Sequence, residues 1–533
     1  MRDSDALSYR WPLALILLLA ILVRVIGLTF CLPLAQCRPD ETTIGAVATG
    51  FYRGNFNSHF FNYPPLFMWA VSLCLWTWLE IGQLLGYLQE PAAIDALVNT
   101  TTLHLIARIL SAALGAATVW ILYRVALRVF DDSTALVAAF FLAVAFLHVR
   151  DSHFGVTDVP ATFMALLAFA AILRIPRRGL TATLIAGIAT GAAAATKYNV
   201  ALIAVAGVVA ILFPAEPRSF QERMSGVAAY VSATILTFFC IAPYSLVDWP
   251  HFISALQYES AHLAAGHGHA TARGWHVHLM TNLRFGLGLP LLVASLGGLV
   301  HLIARRPRTG ALAAVFPVAY YAVLGHGYTV FARYALPLVP FLCLFAGYGT
   351  VQLTNRLLAV RRLAQPNVAL AALSVIIALP SVLSAAAFDR LISRTDNRTI
   401  ARRWLERTFR PGTTIIQLGP ESAHLFIEPD PELSGHFVDR SPANGELAAD
   451  VVIVPDSELF ESPPSAEFST TLSSGPFVVA ADFVAAAPSP RRVYDWQDEF
   501  YIPLSGFDGV SRPGPNYKIY VRRDGPSLPS NHS

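Results

Sequence analysis

The strongest constraint on this chain is a succession of long apolar runs, most of them close to the length that crosses a bilayer. They fall near residues 11–30, 64–86, 103–124, 134–149, 158–174, 180–196, 199–213, 226–244, 285–304, 311–325, 333–352 and 367–387. A bilayer core takes about 20 apolar residues per helix. Composition agrees: 55% of the 533 residues are hydrophobic and 14% are charged, against about 25% charged in soluble domains. Most of the chain therefore reads as an all-α polytopic membrane protein. A net charge of +3 is too small to argue for a nucleic-acid partner. The five cysteines, at 31, 37, 74, 240 and 343, show no metal-ligand spacing. Cys31 and Cys37 are read as unpaired, although export would let them pair. The first run is longer than a signal h-region, and Gln36 is not the small residue that cleavage before Cys37 wants, so it reads as an uncleaved first helix. Arg24 lies inside it, an expensive place for a charge, so it faces protein or snorkels.

Loop charges test which runs cross, because cytoplasmic loops are enriched in Lys and Arg. If 64–86 lies along the interface instead of crossing, the loops alternate. One set holds Arg124, Arg128, Arg174, Arg177, Arg178, Arg218, Arg223, Arg305, Arg306, Arg308, Arg356, Arg361 and Arg362. The opposite set holds only Arg150, Lys197, Arg273, Arg284 and Arg333. The first set is cytoplasmic on this rule, as is the tail with Arg2 and Arg10. The expectation is about 11 transmembrane helices plus an interfacial helical segment in a first external loop spanning 31–102.

Under that topology the polar variety collects outside. The first loop carries Asp40, Glu41, Arg53, His59 and Asn62. Arg150 to Asp158, Lys197-Tyr198-Asn199, the histidine-rich stretch 245–284 and residues 326–334 lie on the same side. After Ala387 the chain is polar enough to be soluble, which divides it into a membrane domain (1–387) and an external domain (388–533). Asp389 to Phe409 reads as an amphipathic helix, and short apolar runs at 413–418, 451–454 and 477–479 read as strands. A small α/β domain is expected there. It contains no nucleophile elbow, phosphate loop or metal constellation, so support or acceptor contact is expected of it.

The order of these features resembles the GT-C superfamily of membrane glycosyltransferases, specifically the bacterial branch related to protein O-mannosyltransferases and lipid A aminoarabinose transferase. The resemblance covers roughly residues 10–350. It runs from Asp40-Glu41 and Asn62-Tyr63-Pro64-Pro65-Leu66 through Arg108 to Arg128 and His148-Val149-Arg150. It continues with Thr157-Asp158-Val159-Pro160, Ala195-Thr196-Lys197-Tyr198 and Ala332-Arg333-Tyr334-Ala335-Leu336-Pro337. The tail from Arg512-Pro513-Gly514-Pro515 to Ile519-Tyr520 resembles the end of uncharacterised members. The resemblance implies a polyprenyl-phosphate-linked sugar donor and single-step, inverting transfer to an acceptor hydroxyl. It places that transfer on the outer face of a bacterial cytoplasmic (inner) membrane.

Such a reaction needs a carboxylate to take the hydroxyl proton as attack occurs and cations to stabilise the departing phosphate. Asp40 matches the catalytic acidic position of the family and is assigned as general base; the alternative is a solvated helix-end acid. Glu41 is assigned as its partner. Asp158 is read both as a helix N-cap and as the second acidic position. Lys197 and Arg333 are either interfacial cations or phosphate ligands, with guanidinium geometry favouring Arg333 for phosphate. Tyr198 and Tyr334 are interfacial aromatics beside them. Asp151 and His153 are assigned to sugar hydroxyls. A divalent metal occurs in some but not all GT-C enzymes, and with Asp40 these two would be the ligands. No cofactor is assigned.

The histidines at 251, 262, 267, 269, 276 and 278 lack a zinc-site frame and read as a mobile loop over the donor, with Glu259, His262 and His267 the candidates for contact. A lipid-linked sugar flippase or transporter would place ionisable residues near the bilayer midplane, and a non-catalytic scaffold would not need the acid and base arrangement. The sugar and the acceptor, whether protein, lipid or glycan, are not legible. The long external domain and the histidine-rich stretch depart from the mannosyltransferases, so mannose is not implied.

Overall fold

The computed structural model describes residues 10–34, 37–87, 100–214, 216–268, 272–361, 365–426, 437–439, 449–460, 472 and 474–524. Contacts divide the chain into two compact units: Met1–Leu28 with Thr43–Ala386, and Thr29–Thr42 with Ala387–Ser533. His269 lies outside the described residues.

The first unit is built from helices. Its main ones are α1 (Arg10–Val25), α2 (Pro39–Tyr52, entering from the other unit), α3 (Leu66–Leu84), α4 (Thr100–Val129), α5 (Asp132–Val144), α6 (Phe146–Asp151), α7 (Asp158–Ile172) and α8 (Ile175–Ala194). There follow α9 (Ala204–Leu212), α10 (Phe220–Ile241), α11 (Trp249–Ala265), α12 (Leu289–Arg305), α13 (Pro307–His326), α14 (Val339–Arg361) and α15 (Pro366–Ile392).

Among the described residues five helical stretches are long and apolar enough to cross a bilayer: Thr101–Val129, Phe220–Ile241, Pro307–His326, Ala332–Ala359 and Pro366–Thr408. A sixth is added if Gly274–Leu287 and Leu289–Arg305, bent by 113°, form one span. On α12, Leu289, Val293, Leu296, Val300 and Ile303 are exposed while Leu291, Leu292, Ser295, Gly298 and Leu302 are buried. A helix with one face packed and the opposite face apolar is solvated by lipid, and the chain is a multi-pass membrane protein.

Several apolar runs fold as broken helices, so run length does not convert directly into spans. The run 134–149 divides at Ala145, whose backbone is extended (φ −62°, ψ 109°). Such a break exposes the last carbonyls of α5. Arg24, fully buried, donates to Leu142 O (3.2 Å) and Ala143 O (3.0 Å). It also donates to Ala20 O at 2.9 Å and reaches Ser152 Oγ at 3.2 Å. Arg24 thus faces protein, where its charge is fully hydrogen-bonded. Gly115 of α4 passes this cluster so closely that any Cβ there would overlap Ser152 Oγ.

The second unit holds a five-stranded sheet in the order β2-β1-β3-β5-β4. Its strands are β1 (Thr413–Gln417), β2 (Phe437–Asp439), β3 (Val451–Asp456), β4 (Phe477–Phe483) and β5 (Asn516–Arg522). β1 pairs parallel with β2 and β3, whereas β5 pairs antiparallel with β3 and β4. Alternation along β3 fills both faces: Val451 and Ile453 meet Ala401 and Leu405 of α16 (Asn397–Thr408) and Phe409 just after it, and Val452 and Val454 meet Phe477 and Tyr520. The single helix read over 389–409 is two. α15 runs on to Ile392, and Asp396 starts α16 by accepting a hydrogen bond from Arg398 N (2.8 Å), the favoured role of Asp at a helix start.

Residues 29–42 are anchored within this unit. Arg38 pairs with Asp498 at 2.7 Å, both side chains 2% exposed, and Phe30 packs edge-on against Phe500. Cys31 and Cys37 are disulfide-bonded, contrary to their reading as unpaired. The two Cα atoms, six positions apart in sequence, lie 6.4 Å from one another, within bridging reach.

Candidate active site

In the first unit the loops expected on one side converge on Lys197. Its Nζ lies 2.5 Å from Asp158 Oδ1, with side-chain exposures of 12% and 5%. The ammonium also faces the rings of Tyr334 (4.9 Å) and Tyr63 (6.0 Å). Lys197 is in extended conformation at the end of α8, so its side chain leaves the helix axis instead of continuing along it. Thr157, not Asp158, is the residue before α7, and no side chain caps that helix. The N-cap reading of Asp158 is therefore replaced by an ion pair: the carboxylate turns toward Lys197.

The 60–66 segment is tied into the same place. Tyr198 OH donates to Phe61 O (2.8 Å), Leu66 N donates to Ala195 O (3.0 Å), and Asn62 Nδ2 donates to Glu259 Oε1 on α11 (2.8 Å). From Tyr334 the contacts step to Phe331 (ring centroids 5.3 Å apart) and then to Arg333, whose guanidinium lies 4.3 Å from the Phe331 ring. His267 packs on Phe331 as well, and its Nδ1 meets His262 Nε2 at 3.2 Å. Asp158, Lys197, Tyr198, Glu259, His262, His267, Arg333 and Tyr334 thus form one chain of contacts. Arg333 is buried, so its charge acts across low-dielectric surroundings, where Coulomb attraction for an anion is stronger than in water.

Burial holds His262 below the usual histidine range; the neighbouring His267 and Arg333 add to this, and Glu259 opposes it. The lowered value means that the folded arrangement resists a proton the unfolded chain accepts. The stability of this segment is therefore present above the ordinary imidazole range and lost as pH falls through it. Hydrogen exchange over residues 259–268, corrected for intrinsic rate, should be several-fold faster at pH 5.5 than at 7.5. The His262→Gln variant should show no such dependence.

Asp151 and His153 are fully buried. Asp151 Oδ2 accepts from Arg150 Nη1 at 3.1 Å. Both ring nitrogens of His153 face carbonyls, Val149 O and Ile26 O, each at 2.9 Å. A ring whose two nitrogens are both turned to main-chain carbonyls is held by the fold and does not present a nitrogen to a metal. No step is routed through one.

Asp40 and Glu41 open α2 in the second unit, in the first turn after Pro39, a favoured place for both proline and acids. Ile44, Ala48 and Phe51 form the buried stripe of α2, against Phe67, Met68 and Val71 of α3. At about 100° per residue, Glu41 continues that stripe and is 1% exposed, whereas Asp40, one residue earlier, is half-buried. The same helix that hides Glu41 leaves Asp40 approachable.

Two polar groups escaped the sequence reading. Arg38 forms the buried pair with Asp498, a partner 460 residues away that no local pattern announces. Asp248 binds two histidines; the signal available was the spacing of Asp248 and His251, one helical turn apart.

Residues 97–246 match the sequence family described as dolichyl-phosphate-mannose-protein mannosyltransferase. No curated protein matches the sequence. Among solved structures the chain is similar to ArnT from Cupriavidus metallidurans bound to undecaprenyl phosphate, with a TM-score of 0.53 and 15% identity over 97% of this chain and 99% of that one. It is also similar to the oligosaccharyltransferase of Archaeoglobus fulgidus, with a TM-score of 0.49 and 13% identity over 76% of this chain. This chain spans 62% of the length of that enzyme.

Proposed function

We propose, from the premise that this chain resembles the GT-C membrane glycosyltransferases in its fold and along residues 97–246, a polyprenyl-phosphate-dependent glycosyltransferase. It moves a sugar from the lipid carrier to an acceptor hydroxyl on the outer face of a bacterial cytoplasmic membrane. The membrane part, residues 1–387, crosses about eleven times with 64–86 along the interface, and residues 388–533 lie outside as support or acceptor contact. The undecaprenyl phosphate bound to ArnT supports the class of donor. The Cys31–Cys37 pair supports the orientation, since disulfides persist in oxidising compartments.

The observation that carries this reading is the Lys197 group: a cation held by Asp158 and two tyrosines, joined through Phe331 to a buried arginine. In the reaction the acceptor oxygen bonds to the anomeric carbon as the bond from that carbon to the phosphate oxygen breaks. The hydroxyl proton passes to Asp40. The electron pair leaves on the phosphate, where Lys197 and Arg333 stabilise it. Asn62 and Glu259, bonded to each other at 2.8 Å, receive sugar hydroxyls in this reading.

Undecaprenyl phosphate binding, followed by the rise in unfolding temperature it produces, tests the cation assignment. Lys197→Ala and Arg333→Ala should each weaken binding by about 10- to 100-fold, the worth of a charge-assisted hydrogen bond. Lys197→Arg should retain part of it. Wild-type affinity in both alanine variants would remove these residues from the phosphate site.

A further inference from the structure

A second cluster in the first unit stands apart from the contacts of Lys197. Asp248, just before α11, receives one imidazole nitrogen on each carboxylate oxygen. His59 Nδ1 lies 2.6 Å from Oδ2 and His251 Nδ1 lies 2.6 Å from Oδ1. Asn57 Nδ2 donates to Oδ2 at 3.2 Å. The three donor atoms all fall within 4.8 Å of one another. The carboxylate is only 12% exposed, while the two rings are 63% and 64% exposed.

A surface aspartate needs one cation at most, and exposed rings gain little from being held. Here two imidazoles converge on one carboxylate from segments 189 residues apart. His59 does so from a left-handed backbone (φ 53°), a conformation that costs a non-glycine residue energy and persists when surroundings impose it. The surroundings do so independently of the cluster: Asn62 bonds Glu259, and Phe61 packs on Phe252. The ligand-bearing segments are therefore already zipped together.

We propose that His59, Asp248 and His251 form a binding site for a divalent transition metal of the zinc class. Two imidazoles and a carboxylate are the donor set that such ions prefer over magnesium or calcium. Metal–ligand bonds of about 2.0–2.2 Å around a tetrahedral ion bring donor atoms to about 3.3 Å from one another. The two rings, 63% and 64% exposed, have room to rotate toward that spacing. Three protein ligands leave a fourth position for water. The ion fastens the 57–62 segment to the start of α11, whose later turns carry Glu259 and His262 into the Lys197 group. Its role is that of a strut, and its ligands touch none of the residues assigned to the reaction.

The test uses the full chain in detergent micelles, stripped with a chelator and titrated with Co²⁺, whose visible absorption reports tetrahedral nitrogen and oxygen ligation. The expected result is one equivalent bound, displaced by Zn²⁺. Asp248→Asn and the double variant His59→Gln with His251→Gln should each weaken binding at least about a hundredfold. His262→Gln with His267→Gln should leave it unchanged. Folding of each variant is checked by its metal-free unfolding temperature and by its gel-filtration profile. Failure of the stripped wild type to take up Co²⁺ would overturn the assignment. Unaltered binding in the Asp248 and double-histidine variants, or equal loss in the His262–His267 variant, would do the same.

Discussion

Asp40→Asn lowers sugar transfer at least about a hundredfold, the usual worth of a positioned general base, and leaves donor binding near the wild-type value. Asparagine keeps the volume and one acceptor oxygen but cannot take the proton that the acceptor hydroxyl loses. The site of the change is mild for the fold. Asp40 is half-buried in the first turn of α2, while the packing of that helix rests on Ile44, Ala48 and Phe51. An anion there is favoured by the helix N-terminus by about 0.3–1 kcal/mol, so the neutral amide costs little stability. Glu41→Gln should give the opposite pattern, because Glu41 is 1% exposed: an altered unfolding temperature with a smaller change in rate. Measuring turnover and donor affinity on both variants separates the roles. Equal transfer by wild type and Asp40→Asn would remove Asp40 from the mechanism and move the base to Asp158.

Asp396→Ala destabilises the second unit by about 3–5 kcal/mol, the loss expected when one member of a buried ion pair is removed. Arg398 meets Asp396 with two parallel bonds, Nε to Oδ1 and Nη2 to Oδ2, each 2.9 Å. Its Nη1 donates to Ser422 O at 2.7 Å. Both side chains are at most 2% exposed. Removing Asp396 strands a guanidinium beneath Tyr501 and also deletes the cap of α16, itself worth about 1 kcal/mol. Arg398→Met with Asp396→Asn should recover much of the loss, because no uncompensated charge remains and asparagine still caps. Hydrogen exchange across 397–426 in the full chain reads the difference. Equal protection in Asp396→Ala and wild type would show that the pair contributes nothing net.

Much of the architecture is legible in the sequence because membrane chains advertise it: long apolar runs, a buried Arg24 that had to face protein, and a polar end that folds as a sheet. What stayed hidden is what depends on distant partners. Ala145 carries no signal that α5 breaks there, since the break is held by Arg24 from another helix. Asp158 before Pro160 has the pattern of a helix cap, yet a lysine 39 residues on outbids the backbone for its carboxylate. The Asp396 cap is a local signal, and it divides the stretch 389–409 into two helices. Asp248 carried no weight as a lone acid, and only its two histidines from different segments give it meaning.

The measurement that tests the central claim most directly uses the purified chain in proteoliposomes with polyprenyl-phosphate sugars labelled in the sugar and, separately, in the lipid. The account predicts that sugar label moves to a product while polyprenyl phosphate is released in equal amount, and that Asp40→Asn abolishes both. Sugar label that stays on its carrier, whether immobile or merely exchanged between leaflets, would contradict a transferase and favour a carrier of lipid-linked sugar.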